Sequence, residues 1–404
     1  MKIKEICFKT EEDIVKYLYS INVDVAGINI MKSKLGRYNI EIRGIRPAAA
    51  LILKQELLSV GGELAVPRGF IVSGDQSVTG SVLLMASVKH LNIVIRKLRK
   101  QQFGLDILAN MLSKQAALNK QIFWRFTDKN LDCKNNFYIM GIINVTPDSF
   151  YDGGVYCGSL EAILKHSEKL VNEGADILDI GGESTRPGSK PVEESEELER
   201  VIPVISELRK IYPRLPLSID SSKPAIIKAA LESGADIINN ISDLNAQPQI
   251  ADMAVEYKAG LVIMHMKGSP ETMQANPEYS NLINEIYDFI DERMNLADKI
   301  GVRPEAIAID PGIGFGKTVA HNLEIIKRLN EFSSLERPVM MGISNKSFIG
   351  KALGLDISER VTASSAASVL SFERGASIFR THNVRETKES LKISDYIIKT
   401  GIKQ

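Results

Sequence analysis

From residue 137 onward the apolar positions fall into one repeating rhythm. A short unbroken apolar run is followed by a polar loop, then by a stretch with apolar residues three and four apart. Unbroken runs of this length fit strands buried on both faces, and the longer stretches fit amphipathic helices covering them. The pattern predicts strands at 137–144, 175–180, 216–220, 235–239, 260–265, 306–310, 338–343 and 376–381. It predicts helices near 159–173, 193–211, 223–233, 246–258, 279–300, 318–331, 358–371 and 385–398. Eight strand–helix repeats in about 260 residues are the count of a (β/α)8 TIM barrel. An open doubly wound sheet alternates in the same way, but so many consecutive repeats favour closure. The sequence Gly-Ala-Asp before two strands (174–176 and 234–236) marks helix ends turning into strands.

Residues 1–118 have no such rhythm. Strand-like alternation at 2–8 and 38–45 mixes with a helical pattern at 48–59, stopped by Gly61-Gly62. Two further helices are predicted at 88–101 and 103–113. The first carries Lys89, Arg96, Lys97, Arg99 and Lys100 on one face, which reads better as a solvated surface than as an anion site. The expected organisation is a smaller N-terminal α+β domain over 1–118, of unknown role, and an α/β barrel domain over 119–404. The polar stretch 127–136 is either a linker or the turn of a hairpin opened by the strand-like run 121–126, and that run favours the hairpin.

Composition narrows the class. Fifty basic and fifty acidic residues cancel, which argues against nucleic acid or an anionic membrane as the main partner. No apolar run reaches about 18 residues, and the first five residues lack a signal-peptide core, so a cytoplasmic enzyme is expected. Cys7, Cys133 and Cys157 have no metal-ligand spacing and leave one thiol unpaired, as in a reducing compartment.

The candidate chemistry lies where the predicted strands stop. Their ends read Asn144, Asp179, Asp220, Asn239, His265, Asp310, Ser344 with Lys346, and Arg380 with His382. In a TIM barrel these ends share one rim, so the pattern favours a site for a polar small molecule. Asn144, Arg186, Arg380 and His382 suit an anion. Asp220, Asn239 and Asp310 suit the N–H groups of a planar heterocycle and positive charge developing on it. Helix capping is the competing reading for Asp220, which Ser221-Ser222-Lys223-Pro224 follows; it fits Asp310 poorly, because a glycine loop intervenes. That loop, 311–317, satisfies neither the phosphate-loop nor the dinucleotide spacing, and reads as close backbone approach to a flat ligand beside Phe315. His265, alone among methionines, is left out of the chemistry.

Six motifs in order resemble the dihydropteroate synthases: Asn144-Val-Thr-Pro-Asp-Ser-Phe150, Asp179-Ile-Gly-Gly-Glu-Ser-Thr-Arg-Pro-Gly188, Ser218-Ile-Asp-Ser221, Asp310-Pro-Gly-Ile-Gly-Phe-Gly-Lys317, Lys346-Ser-Phe-Ile-Gly350 and Arg380-Thr-His382. The resemblance runs from about residue 120 to the end, and Trp124 lies in a segment similar to one that crosses the barrel bottom in that family. It implies condensation of 6-hydroxymethyl-7,8-dihydropterin diphosphate with 4-aminobenzoate to give 7,8-dihydropteroate and diphosphate. By the same resemblance Asp220, Asp310 and Lys346 are catalytic and, with Asn239, hold the pterin. Diphosphate and Mg²⁺ fall to Asn144, Arg380 and His382, with Asn144 as the metal ligand and Arg186 on the second loop. Thr185, Pro187, Phe315 and Ser344 line the aminobenzoate pocket, and a homodimer is implied. The loops 145–154 and 182–192 read as lids over a reactive cation.

Three positions depart from the usual pattern: Asn240 and Asn383 stand where Asp is common, and Asn345 where Arg is common. Two alternatives share the barrel. Methyltetrahydrofolate–corrinoid methyltransferases need no diphosphate site; a non-catalytic pterin-binding paralogue, with the N-terminal domain as its output, is left open by the three substitutions but disfavoured by retention of both carboxylates and Lys346.

Overall fold

The computed structural model describes residues 11–399 except 22, 36, 69, 71–78, 117–120, 147–158, 184–191, 241, 269–272 and 274–276. The chain packs as two compact units, residues 1–120 and 121–399.

In the first unit, helices Glu11–Ser20 and Val25–Leu35 precede β1 (Arg37–Ile45) and helix Pro47–Leu58. Then follow β2 (Glu63–Ala65), β3 (Gly80–Ser87) and helices Val88–Leu98 and Leu105–Gln115. The sheet is antiparallel in the order β1-β3-β2. Leu53, Leu57, Leu84, Leu91, Val94 and Leu98 form its fully buried centre. The sequence pattern missed β2, β3 and the first two helices. In β3 the buried set Val82, Leu84 and Ala86 alternates with Leu83 and Met85, so apolar residues on both faces hide the period. The strand expected at 2–8 lies outside the described residues. On the basic helix Lys97 pairs with Glu56 at 2.8 Å, while Lys89, Arg96, Arg99 and Lys100 are exposed.

The second unit opens with the hairpin β4 (Phe123–Phe126) and β5 (Lys129–Asp132). Eight parallel strands then close a barrel: β6 (Tyr138–Asn144), β7 (Ile177–Gly181), β8 (Leu217–Asp220), β9 (Ile237–Asn240), β10 (Gly260–Met264), β11 (Ile307–Asp310), β12 (Val339–Met341) and β13 (Ala376–Thr381). β13 pairs back onto β6, so no strand is left at an edge. Each of the eight strands predicted for the barrel is present, and each helix predicted between and after them has a counterpart. Among the described residues of this unit one α-helix was not anticipated, Ser347–Leu353, which at seven residues is too short to show a period.

Both Gly-Ala-Asp sequences turn a helix into a strand by the same device. Gly174 and Gly234 adopt φ of 103° and 109°, which closes the preceding helix. The aspartate that follows accepts the backbone N–H of the neighbouring strand: Ile139 to Asp176 at 2.8 Å, Leu217 to Asp236 at 3.0 Å.

The lower barrel is plugged by the hairpin. Trp124 and Phe126 are fully buried and meet edge to face at 4.9 Å between ring centres. They share a buried cluster with side chains of seven strands: Met140, Ile177, Ile237, Val262, Ala308, Met340 and Ile378. The Trp124 indole N–H is satisfied by the Ala306 carbonyl at 2.9 Å, just before β11. Lys129 adds an ion pair to Asp236 at 3.0 Å. With the bottom sealed, the opposite end is free for function. Replacing Trp124 by Ala is expected to cost about 3–5 kcal/mol, read as a lower midpoint in chemical denaturation.

Candidate active site at the barrel mouth

The C-terminal strand ends bring the polar groups together as the rim arrangement requires. Arg380, at the end of β13, is the hub. Its Nε donates to Asp179 at 2.6 Å and its Nη2 to Asp220 at 2.5 Å. Asp179 is fully buried and also accepts both contacts of the Asn239 amide, at 3.1 and 3.3 Å. Asp220 does not cap a helix. The helix Pro224–Glu232 begins at Lys223 without a side-chain cap, and the carboxylate turns to Arg380 instead. Its other oxygen, Oδ1, is buried with no hydrogen-bond partner among the described residues. Such an atom is costly until a donor meets it.

Burial pushes the Asp220 carboxyl up to about 6; Arg380 pulls it down and repulsion from Asp179 adds to the rise. Burial also raises Asp310, against a hydrogen bond from the Gly312 N–H at 2.7 Å. The Arg380 charge survives burial because Asp179 and Asp220 outweigh the desolvation and push its pKa above the usual range. Lys346 falls to about 8, first through burial and then through repulsion from Arg380, with Asp310 and Asp220 drawing it back. Its ammonium stands 4.2 Å over the Phe315 ring, so in this state the ring face carries a cation.

On the adjoining arc, His382 links two strand ends. Its Nδ1 lies 3.2 Å from Ser344 Oγ and its Nε2 lies 3.4 Å from Asn144 Nδ2. Thr185, Arg186 and Pro187 fall outside the described residues, as does most of each of the two loops read as lids. The stems of the second loop are described. Lys223 Nζ donates to Glu183 Oε2 at 2.6 Å, to the Val192 carbonyl at 2.6 Å and to Glu197 Oε2 at 2.7 Å. One ammonium thus ties both stems to the loop that follows Asp220. Nothing in the sequence pattern marked this lysine.

His265 is no open ligand. Its Nδ1 receives the buried Lys317 ammonium at 2.9 Å, and Lys317 also bonds the Phe315 carbonyl at 2.9 Å. Burial and then the Lys317 charge depress His265 to about 2, while burial lowers Lys317 to about 7. The pair pins the glycine loop to β10. Gly312 is needed there, because a Cβ would lie 1.8 Å from the His265 carbonyl oxygen.

Each of the three departures makes a local hydrogen bond, although the Asn345 Oδ1 is buried without a partner among the described residues. Asn345 donates to Asn383 at 3.1 Å, so two of them bond each other. Asn345 sits at φ 54°, a left-handed conformation that Asn tolerates better than longer side chains. Asn240 accepts from the Ser242 N–H and hydroxyl at 2.8 and 2.7 Å, closing its own turn.

These features define a TIM-barrel enzyme whose mouth holds buried carboxylates, a buried cation and a rim of anion donors. The sequence pattern of the pterin binding enzymes matches residues 140–382. A dihydropteroate synthase of Synechocystis is 42% identical over 259 residues, 64% of this chain and 89% of that protein. A probable bifunctional folylpolyglutamate synthase/dihydropteroate synthase of Halobacterium salinarum is 35% identical over 392 residues, 95% of this chain and 46% of that protein. The solved dihydropteroate synthase of Xanthomonas albilineans with 4-aminobenzoic acid superposes with a TM-score of 0.64 at 38% identity, covering 70% of this chain and all of that one. The chain belongs to the pterin binding enzyme family and, within it, to the dihydropteroate synthases.

Removing the tie between the loop stems tests the Lys223 geometry. Lys223→Met leaves Glu197, 1% exposed, without its cation, and is expected to lose about 3 kcal/mol of stability. Adding Glu197→Gln is expected to recover most of that loss in the same denaturation assay.

Proposed function

We infer that this chain catalyses dihydropteroate synthesis, a transferase reaction of folate biosynthesis. A pterin-methyl group passes from 6-hydroxymethyl-7,8-dihydropterin diphosphate to the amine of 4-aminobenzoate. The observation that carries this reading is the pair of buried carboxylates, Asp220 and Asp310, facing a cationic rim, with one Asp220 oxygen awaiting a donor. Both carboxylates and Lys346 are retained, which disfavours a non-catalytic paralogue. The identity to dihydropteroate synthases disfavours a corrinoid methyltransferase.

In this reading Asp220 and Asp310 accept from the pterin N–H groups and, with Asn239 and Lys346, fix the ring. Arg380, His382 and Asn144 take the diphosphate. The C–O bond to diphosphate breaks with its electron pair leaving on oxygen, and the carboxylates stabilise the cationic methylene. The arylamine nitrogen forms the new bond and gives up its proton to solvent. Ser344 and Phe315 border the aminobenzoate, with Thr185, Arg186 and Pro187 on the second loop.

Mg²⁺ fits the donor set. No group of three or more His, Cys, Asp or Glu residues able to hold a metal occurs among the described residues. A magnesium ion bound through diphosphate oxygens and water needs few protein ligands. With its Nδ2 beside His382, Asn144 can offer its amide oxygen, and the bound ion would offset charge on the leaving diphosphate. A cytoplasmic homodimer is the proposed form. Exposed Leu323, Leu370, Ile393, Tyr396 and Ile397 on three outer helices support an apolar contact.

Purified protein given both substrates and Mg²⁺ is expected to release diphosphate and form dihydropteroate. Pterin binding without product would sink the assignment. Asp310→Asn is expected to cut kcat/KM for the pterin diphosphate about 10- to 100-fold, the cost of a lost charged hydrogen bond. The charged form of Asp220 is the acceptor, and it is lost as pH falls through about 6. The wild-type kcat/KM for the pterin substrate should therefore decline below that pH.

A further inference from the structure

We propose that Asp179 is a positioning residue that sets the polarity of the pterin site. The inference rests on the synthase reading above and goes beyond the residues assigned there. Asp179 sits within β7, fully buried, and has two partners, both of them proposed substrate groups. A carboxylate only accepts, so the end of the Asn239 amide that faces it must be the NH2. That choice leaves Asn239 Oδ1 as the remaining atom of the amide. Asp179 therefore makes Asn239 an acceptor towards a heterocycle whose edge offers N–H groups.

The second partner is Arg380. A guanidinium commonly grips one carboxylate with two parallel N–H groups. Here the Nε and Nη2 of Arg380 go to different carboxylates, Asp179 at 2.6 Å and Asp220 at 2.5 Å. Held by Asp179 through Nε, Arg380 cannot turn wholly onto Asp220. Its Nη1 has no hydrogen-bond partner among the described residues and remains for an anion. Asp179 thus keeps one cation shared between a carboxylate that must meet the ring and an anion that must leave. Its own charge also helps hold Asp220 up, alongside burial.

The test is Asp179→Asn, which keeps the shape and removes the charge. With the new amide free to present either end, Asn239 loses its fixed orientation, and Arg380 is released towards Asp220. KM for the pterin diphosphate is expected to rise at least tenfold, while KM for 4-aminobenzoate stays within about twofold. The acid limb of kcat/KM for the pterin substrate should move to lower pH, because Asp220 then has Arg380 to itself and loses a repelling neighbour. A scaffold residue would not move that limb. An unshifted limb with an unchanged pterin KM overturns the inference.

If Asp179→Asn does not fold, the double variant Asp179→Asn with Asn239→Asp keeps volume, net charge and the hydrogen bond between the two. It moves the carboxylate away from Arg380 Nε. Wild-type melting temperature with a raised pterin KM supports the positioning role; wild-type KM overturns it. Fluorescence titration with pterin-6-carboxylate separates the two claims. If the wild-type protein makes no dihydropteroate, the synthase reading fails, whereas tenfold weaker binding of this probe by Asp179→Asn still supports the inference.

Discussion

A guanidinium held between two buried carboxylates is the constraint on which the mouth of this barrel depends. Arg380 reaches from the last strand to the second and third, so one side chain spans the seam where the barrel closes. The charges are mutually necessary. Without Arg380 two buried carboxylates would repel each other in a medium that screens them poorly, and without them the guanidinium would be desolvated for nothing. Desolvation drives Asp220 up and Lys346 down, whereas on Arg380 it opposes the shift and is overcome by Asp179 and Asp220.

The rest of the barrel serves to hold that cluster at fixed distances. At the bottom, Trp124 and Phe126 fill the space that eight converging strands leave, and Asp236 ties the hairpin and the helix end bearing Arg209 to the strand edge. At the top, the glycine loop after β11 is pinned by the Lys317–His265 contact, and the second loop's stems are pinned by Lys223. Rigid packing below and ion pairs above divide the labour. Packing supplies cohesion, while the polar groups supply direction, which apolar contacts cannot give.

The three Asn departures have a local logic. Asn345 and Asn383 exchange a hydrogen bond across the ends of β12 and β13, so the rim at that point is neutral but connected. Among the described residues the site cations are then Arg380, held by Asp179 and Asp220, and Lys346, whose ammonium lies over the Phe315 ring.

The sequence by itself determined the barrel, because burial on both faces forces unbroken apolar strands and each covering helix must show its own period. It also located the strand ends, and with them Asn144, Asp220, Asn239, Asp310, Lys346, Arg380 and His382. What it left open was partnership. Asp179 and Arg380 are 201 positions apart, and no periodicity reports that they touch. The roles of Lys223 and of the Lys317–His265 pair were hidden for the same reason, since a buried cation is recognisable only once its surroundings are known. In the N-terminal unit, apolar residues on both faces of β3 erased the alternation that would have revealed a strand. Local pattern records which face of an element is buried; which charges meet there is decided only when the barrel closes.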